Sequence, residues 1–317
     1  MSGIHLMLVG SGPGRVTASS TISANTADAS ISITGLSGYV AGRSDITITI
    51  NAGIYVYATS NANAGLTLTG GTAGDTLTIV NNGFIMGRGG DGVYSLTSPN
   101  STVAATVGGT ALSIPISATI NNTNASAYIG GGGGAGGGQA LVGGLGGGGA
   151  GGGSGGYFSS SQTTFPNGGA IGASGANGVA TTGNAAGRGG GGGRIFAGTG
   201  GASVSSTATN SFGLGGGSGG SGGGTAATTS ITTISGAGGS TNAVGSNGNA
   251  TGTANKTASI AGGGGGGWGA TGGSGYRFAS GGNSFQAGTA GGKAVALNGN
   301  TVTWVSGNTT RVYGAVS

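Results

Sequence analysis

The sequence predicts an all-β region over residues 1–129, followed by a sandwich of polyglycine-II helices over 130–317, with essentially no α-helix. Three observations lead there. Before residue 130, apolar residues alternate with Ser and Thr at a period of two, as on a half-buried strand. Glycine supplies 86 of the 317 residues, against a usual share of roughly 7%. No stretch shows apolar residues at helical spacing with capping residues at its ends.

The N-terminal elements follow from the alternation. Ile31/Ile33, Ile46/Ile48/Ile50, Leu66/Leu68, Leu77/Ile79 and Leu112/Ile114/Ile116 alternate with Ser, Thr or Pro. Turn signals separate them at Asn51-Ala52-Gly53, Gly70-Gly71 and Asn81-Asn82-Gly83. Short strands of this kind form either a small sandwich or a stack of short rungs. The expected role of residues 1–129 is structural, to dock the chain on something.

Beyond residue 130 the composition changes. Glycine-dense runs occupy 130–138, 143–156, 168–178, 187–201, 213–224, 262–275 and 287–292, with a thinner one at 236–239. Polar or aromatic links lie between them, and the chain closes with a strand over 294–317. Monotonous rods alternating with diverse links describe a repeat architecture rather than one linker.

Order in such a tract needs a reason. Fixing a residue costs about 1–2 kcal/mol, and glycine sits at or above that range. A hydrogen bond returns only about 0.5–1.5 kcal/mol net, so an isolated glycine rod stays unfolded. In a bundle the balance changes. Polyproline-II-type geometry turns every N–H and C=O outward, and without side chains neighbouring rods approach closely enough to satisfy one another. Four prolines and no strict Gly-X-Y period exclude collagen. Bulky residues punctuate the runs as flank-packing caps: Ile195 and Phe196 after Arg194, Trp268 after Gly267, and Phe212 and Leu214 beside a glycine run.

Charge and chemistry narrow the function. Only 4% of residues are charged, and the net charge is +5. There is no Glu, the acids are Asp28, Asp45, Asp75 and Asp91, and the chain after Asp91 is free of acids. That weak basic excess suits an anionic partner surface. It is too sparse for a nucleic-acid groove. With no cysteine, neither disulfides nor thiolate metal sites are expected. The N-terminus reads as no signal peptide, and no run is long and apolar enough for membrane insertion.

Catalytic motifs fail on context. His5 is the only histidine, which leaves a Ser-His-Asp triad to chance. Gly216–Gly220 formally fits a nucleophile elbow but lacks the strand-turn-helix setting. Scattered GxGxxG matches have no βαβ unit around them, and Gly291-Gly292-Lys293 lacks P-loop spacing. Asp91 in GRGGDG is not repeated, as a calcium β-helix would require. The reading is therefore a non-enzyme with no cofactor and no metal.

Four stretches resemble a known family. They are Asp75–Gly92 (DTLTIVNNGFIMGRGGDG), Ala118–Gly138 (ATINNTNASAYIGGGGGAGGG), Gly189–Gly201 (GGGGGRIFAGTGG) and Ala261–Gly275 (AGGGGGGWGATGGSG), the last running on to Gly291–Ser317. Together they are similar to the distal tail-fibre adhesins of T-even-like bacteriophages, built around a polyglycine-II sandwich. The closing strand, with Trp304, Arg311 and Gly314, also resembles glycine-rich tail-tip proteins. The resemblance spans residues 75–317 and leaves 1–74 outside it. It implies a rigid glycine scaffold whose variable end loops bind a host outer-membrane protein, or lipopolysaccharide or another surface glycan. A virion component made in the host cytoplasm fits the N-terminus as read above, with residues 1–129 expected to attach to other tail-fibre or tail-tip proteins.

The links hold the candidate receptor-binding residues. Tyr157, Phe158, Gln162 and Phe165 lie in the first link. Asn210, Phe212, Ile231 and Lys256 lie in the Ser/Thr/Asn-rich ones, and Tyr276, Arg277, Phe278, Asn283 and Phe285 in the last. Aromatics and Arg among small polar residues give large contact area at low entropic cost, as in paratopes. The same aromatics could instead pack over the scaffold. If rods alternate in direction, loops 157–167 and 202–212 share one end, and 179–186 and 225–235 the other. Three other readings compete. One is a minor tail or decoration protein using the rods as a spacer. Another is an ice-binding protein, which would need a flat, regularly spaced Thr face where the links are irregular. The third is a secreted matrix protein, opposed by the absence of a signal peptide.

Overall fold

The computed structural model describes residues 14–92, 94–95, 102–137, 149, 151–153, 157–158, 168–170, 212–215, 233–234, 249–250, 258–261, 264–279, 282–305 and 309–317. Among them there is no α-helix; they form strands, turns, extended segments and the short 3-10 helices Ile33–Gly35 and Thr309–Arg311.

The N-terminal strands stack as coils of a three-sided β-solenoid, so of the two architectures open to the sequence it is the stack of rungs that forms. The first coil is β1 (Val16–Ile22), β2 (Thr26–Ala27) and β3 (Ala29–Ser32). The second is β4 (Ser44–Ile50), β5 (Tyr55–Tyr57) and β6 (Leu66–Thr69). The third begins with β7 (Thr76–Asn81) and β8 (Phe84–Met86), makes an excursion containing β9 (Tyr94–Ser95) and β10 (Thr102–Val103), and ends with β11 (Leu112–Ser113). The fourth begins with β12 (Ala118–Asn121) and β13 (Tyr128–Gly130). It then leaves for the glycine-rich part, which contains β14 (Tyr157–Phe158), β15 (Phe212–Gly215), β16 (Thr233–Ile234), β17 (Asn249–Ala250), β18 (Ala258–Ala261), β19 (Gly275–Ala279) and β20 (Gly282–Gln286). It closes with β21 (Val295–Ala296), and β22 (Val302–Trp304) and β23 (Val312–Tyr313) start a fifth coil.

Each side of the solenoid is one parallel sheet. The first sheet runs β1-β4-β7-β12-β22, the second β2-β5-β8-β13-β23 and the third β3-β6-β11-β21. The segment 294–317, expected as one closing strand, is three short strands, and each is the next member of a sheet that the N-terminal region began.

The alternation in sequence becomes ladders of aliphatics inside the prism. In-register pairing lines up Ile46, Leu77 and Ala118, and beside them Ile48, Ile79 and Ile120. The third sheet adds Ala29, Leu66, Leu112 and Val295, and the second adds Val56, Ile85 and Ile129. All are buried in one core. Fully burying an Ile or Leu is worth about 1.5–3 kcal/mol, so each coil contributes several such units.

One turn signal has a second role. The turn is at Asn82 and Gly83, whereas Asn81 remains in β7 and is buried. Its amide donates to Asn122 Oδ1 at 2.9 Å and to Tyr128 O at 3.2 Å, and its Oδ1 accepts from Gly83 N–H. A buried amide satisfied this way pins the register of successive coils.

Candidate functional site

The glycine segments all leave the solenoid at one corner, between the second and third sheets. In the first coil this corner is Asp28 alone, in a left-handed conformation with its carboxylate accepting from Thr59 N–H and Oγ1. In the second coil it is residues 58–65, in the third 87–111, and in the fourth 131–294. The glycine region is thus a long excursion of one coil, and its two ends leave and rejoin the stack side by side.

Hydrogen bonding between the described glycine segments steps by three residues. Gly87 N–H donates to Gly130 O, and Gly90 N–H to Gly133 O. Thr106 N–H donates to Asp91 O and Gly109 N–H to Arg88 O; likewise Thr289 to Ala135 and Gly292 to Gly132. Gly266 and Gly269 donate to Gly134 O and Gly131 O, while Gly134 and Gly137 donate to Ala270 O and Gly273 O. Segment 130–137 therefore bonds to segments 87–90, 106–109, 264–269, 270–273 and 289–292. A β-strand bonds at a step of two and to at most two neighbours. A step of three is the repeat of a polyproline-II-type helix.

Absent side chains make this packing possible. A Cβ on Gly132 would overlap Arg88 O, and one on Gly134 would overlap Thr289 O. Every such clash is with backbone, which cannot swing aside. Residues 130–137 and 264–267, nearly all glycine, are buried.

Polar side chains clamp the lattice to its corner. Arg88 donates to both oxygens of Asp91 at 2.6 and 2.8 Å, and to Asn61 Oδ1 at 2.5 Å. The Asn61 amide donates to Val107 O at 2.6 Å and Gly89 O at 3.1 Å, tying a solenoid loop to two glycine segments. Thr289 Oγ1 donates to Thr106 O at 2.7 Å and accepts from Ala135 N–H at 2.8 Å. Asp91 is therefore one half of an ion pair. The RxxD spacing among glycines was a readable signal for it; Asn61 and Thr289 carried none.

Trp268 anchors the lattice to the solenoid. It sits at the reversal between segments 264–267 and 270–273, where Ala270 N–H donates to Gly267 O. The indole is fully buried against Tyr128, with ring centroids 5.7 Å apart. Tyr128 in turn meets Phe84 at 5.0 Å and Tyr313 at 6.0 Å, and Tyr55 stacks on Phe84 at 4.7 Å. Gly130 leaves room for the indole, since a Cβ there would press on its Cε3 at 3.1 Å. The residue expected to cap the glycine lattice thus covers the outer face of the second sheet.

Two groups of candidate contact residues fall on described strands. Strands β15-β18-β19-β20 form one sheet, β19 and β20 being an antiparallel hairpin. Its register sets Tyr276 opposite Phe285, Phe278 opposite Asn283 and Arg277 opposite Ser284. Tyr276, Phe278, Asn283 and Phe285 hence share one face by register. Arg277 shares the other with Ile260, Leu214 and Phe212. Tyr157 and Phe158 form β14, parallel to β9, with Tyr157 beside Tyr94. Gln162, Phe165, Asn210, Ile231 and Lys256 lie outside the described residues, as do Ile195, Phe196 and most of the loops whose ends were to be assigned by rod direction.

Ionisable groups in the solenoid are structural. Burial opposes ionisation of Asp75, but donation from Ser44 N–H, Tyr39 OH, Thr72 N–H and Gly42 N–H outweighs it and holds the carboxyl below its ordinary value. A hydrogen bond from Thr76, and then one from Arg15, lowers Asp45. Burial raises Tyr313 above the usual phenol value. Among the described residues no group of His, Cys, Asp or Glu could hold a metal ion, and no helix is long and apolar enough to cross a membrane.

Comparison with known proteins gives one family. No curated protein and no solved structure matches the chain significantly. The model of the phage tail fibre adhesin Gp38 family matches residues 17–197, more than half of the chain. The match takes in residues 17–74, which the sequence resemblance had left out, and ends before residues 198–317. A tail-fibre adhesin belongs to the virion and binds host surface receptors and other tail components. The chain belongs to the phage tail fibre adhesin Gp38 family.

Proposed function

We propose that this chain is the receptor-binding tip of a phage tail fibre, non-enzymatic, in which a polyglycine-II lattice holds variable loops toward the host. The observation that carries this reading is the three-residue hydrogen-bond step of segment 130–137, shared among several neighbours at once. Such a lattice is stiff because its groups are mutually satisfied, and a stiff support limits the entropy lost when loops bind. Loop aromatics and polar residues would contact an outer-membrane protein or surface glycan, with Tyr276, Phe278, Asn283 and Phe285 as one cluster and Tyr157 and Phe158 as another. The basic excess after Asp91 would assist approach to an anionic envelope. The solenoid would attach to other tail-fibre or tail-tip proteins.

Exchange of the segments 157–167 and 276–286 with those of a phage of different host range tests this. Recognition by loops predicts that adsorption follows the exchanged segments while thermal stability is retained. A spacer protein would be indifferent to the exchange. Unchanged adsorption after exchange of every link would end the receptor-binding reading.

A further inference from the structure

We propose that the outer face of the first sheet is an ice-binding surface. The regular threonine face that the glycine-run links lack is present on the solenoid. Pairing without a bulge aligns Ser19, Thr47, Thr78, Thr119 and Thr303 in one column across all five strands. The adjacent column is Thr17, Asp45, Thr76, Ser117 and Thr301. The register sets Thr17 by Asp45 and Asp45 by Thr76. Ser117 Oγ meets the Thr301 hydroxyl at 3.1 Å. Thr21 and Thr49 begin a third column, which continues with Val80 and Asn121.

The array has the properties that adsorption to a crystalline lattice of water requires. Strands in a sheet lie about 4.7–4.9 Å apart, and alternate residues along a strand about 6.6 Å. The hydroxyls and methyls therefore form a two-dimensional grid whose repeats are comparable with the oxygen spacings of ice. Thr is stiff at χ1, so the grid is preorganised and little side-chain freedom is lost on contact. Behind it the buried ladder of Ile46, Ile48, Leu77 and Ile79 holds the strands in place. The one charged side chain in the grid, Asp45, lies in the marginal column and is paired with Arg15 at 2.8 Å. The face is also the side of the prism opposite the corner from which the glycine segments leave, and Trp268 covers the second sheet rather than the first.

The test is thermal hysteresis and crystal shaping with the purified full chain. Ice in its presence is expected to grow as faceted crystals with a measurable gap between melting and freezing points. The double substitution Thr78→Lys/Thr119→Lys, at the centre of the grid, should reduce the gap at least fivefold. Thr67→Lys on the third sheet should leave it unchanged. Far-UV circular dichroism checks folding; if the double variant fails to fold, Thr47→Tyr takes its place. Round, unshaped crystals with the native chain overturn the proposal. So does hysteresis that survives substitution of the grid, or that Thr67→Lys abolishes equally.

Discussion

The solenoid and the described glycine segments both pair their backbones by hydrogen bonds, but in different geometries. In the solenoid each strand hydrogen-bonds to the coil before and the coil after, and side chains fill the interior between three sheets. In the glycine segments the bonds step by three and radiate to several neighbours, and glycines such as Gly132 and Gly134 have no space for a Cβ. One region is held mainly by apolar burial that scales with side-chain area. The other depends on dense backbone hydrogen bonding and close packing, which a single Cβ disrupts. The two should therefore fail differently, and substitutions can separate them.

The sharpest break is Gly132→Val. Its branched side chain must displace the backbone of Arg88, and we expect a loss on the order of 4 kcal/mol or more from local overpacking. Hydrogen exchange should show residues 130–137 losing protection while the amides of β4 and β7 keep theirs. Equal loss in both regions would mean that they are one cooperative unit. Next comes Trp268→Ala, expected to lose about 3–5 kcal/mol. It should undock the lattice from the solenoid, read as reduced adsorption and increased exposure of Tyr128 in fluorescence quenching. Asn81→Ala comes third, leaving the Asn122 side chain short of a donor inside the solenoid at a cost of about 1–3 kcal/mol. Chemical denaturation should place that loss in the transition of the solenoid. Protection of 130–137 falling first instead would show that the solenoid is not the independent partner.

The smallest effect is in pH. The carboxyls of Asp45 and Asp75 are held in the folded chain below the ordinary aspartate value of 3.8. Their contribution is then fully present above that value and is lost as pH falls below it, through the folded pKa. A melting temperature that declines below pH 3.8 in the native chain, and less steeply in Asp75→Asn, is expected. Both groups belong to the solenoid, so the acid-induced loss of protection that Asp75→Asn relieves should appear in the amides of β4 and β7.

Particular residues explain what could be read in advance. Ile46, Ile48 and Ile50 alternate with Asp45, Thr47 and Thr49 because one side of β4 faces the core and the other faces out. The Leu112/Ile114/Ile116 pattern gives only a two-residue strand, since Pro115 has no N–H to continue the ladder. Strands β5, β8 and β13 were not visible. Their sequences, Tyr-Val-Tyr, Phe-Ile-Met and Tyr-Ile-Gly, are apolar on both sides, because Trp268 and neighbouring aromatics pack over the outer face. Of the contact residues, sequence supplied the types, and the hairpin register supplied the grouping of Tyr276, Phe278, Asn283 and Phe285 on one face.

By itself the amino-acid sequence settled what is local: that the alternating stretches at β4, β6 and β7 are strands, and that a backbone bare of Cβ atoms can be approached from all sides. Those properties need only a residue and its near neighbours. Only the tertiary structure decided that the strands stack as a solenoid and that the glycine excursions share a corner. The same is true of the return of residues 294–317, which complete the stack that residues 16–130 began. Pairings such as Thr119 with Thr303 join positions far apart in the chain, and their register is set by the whole core at once.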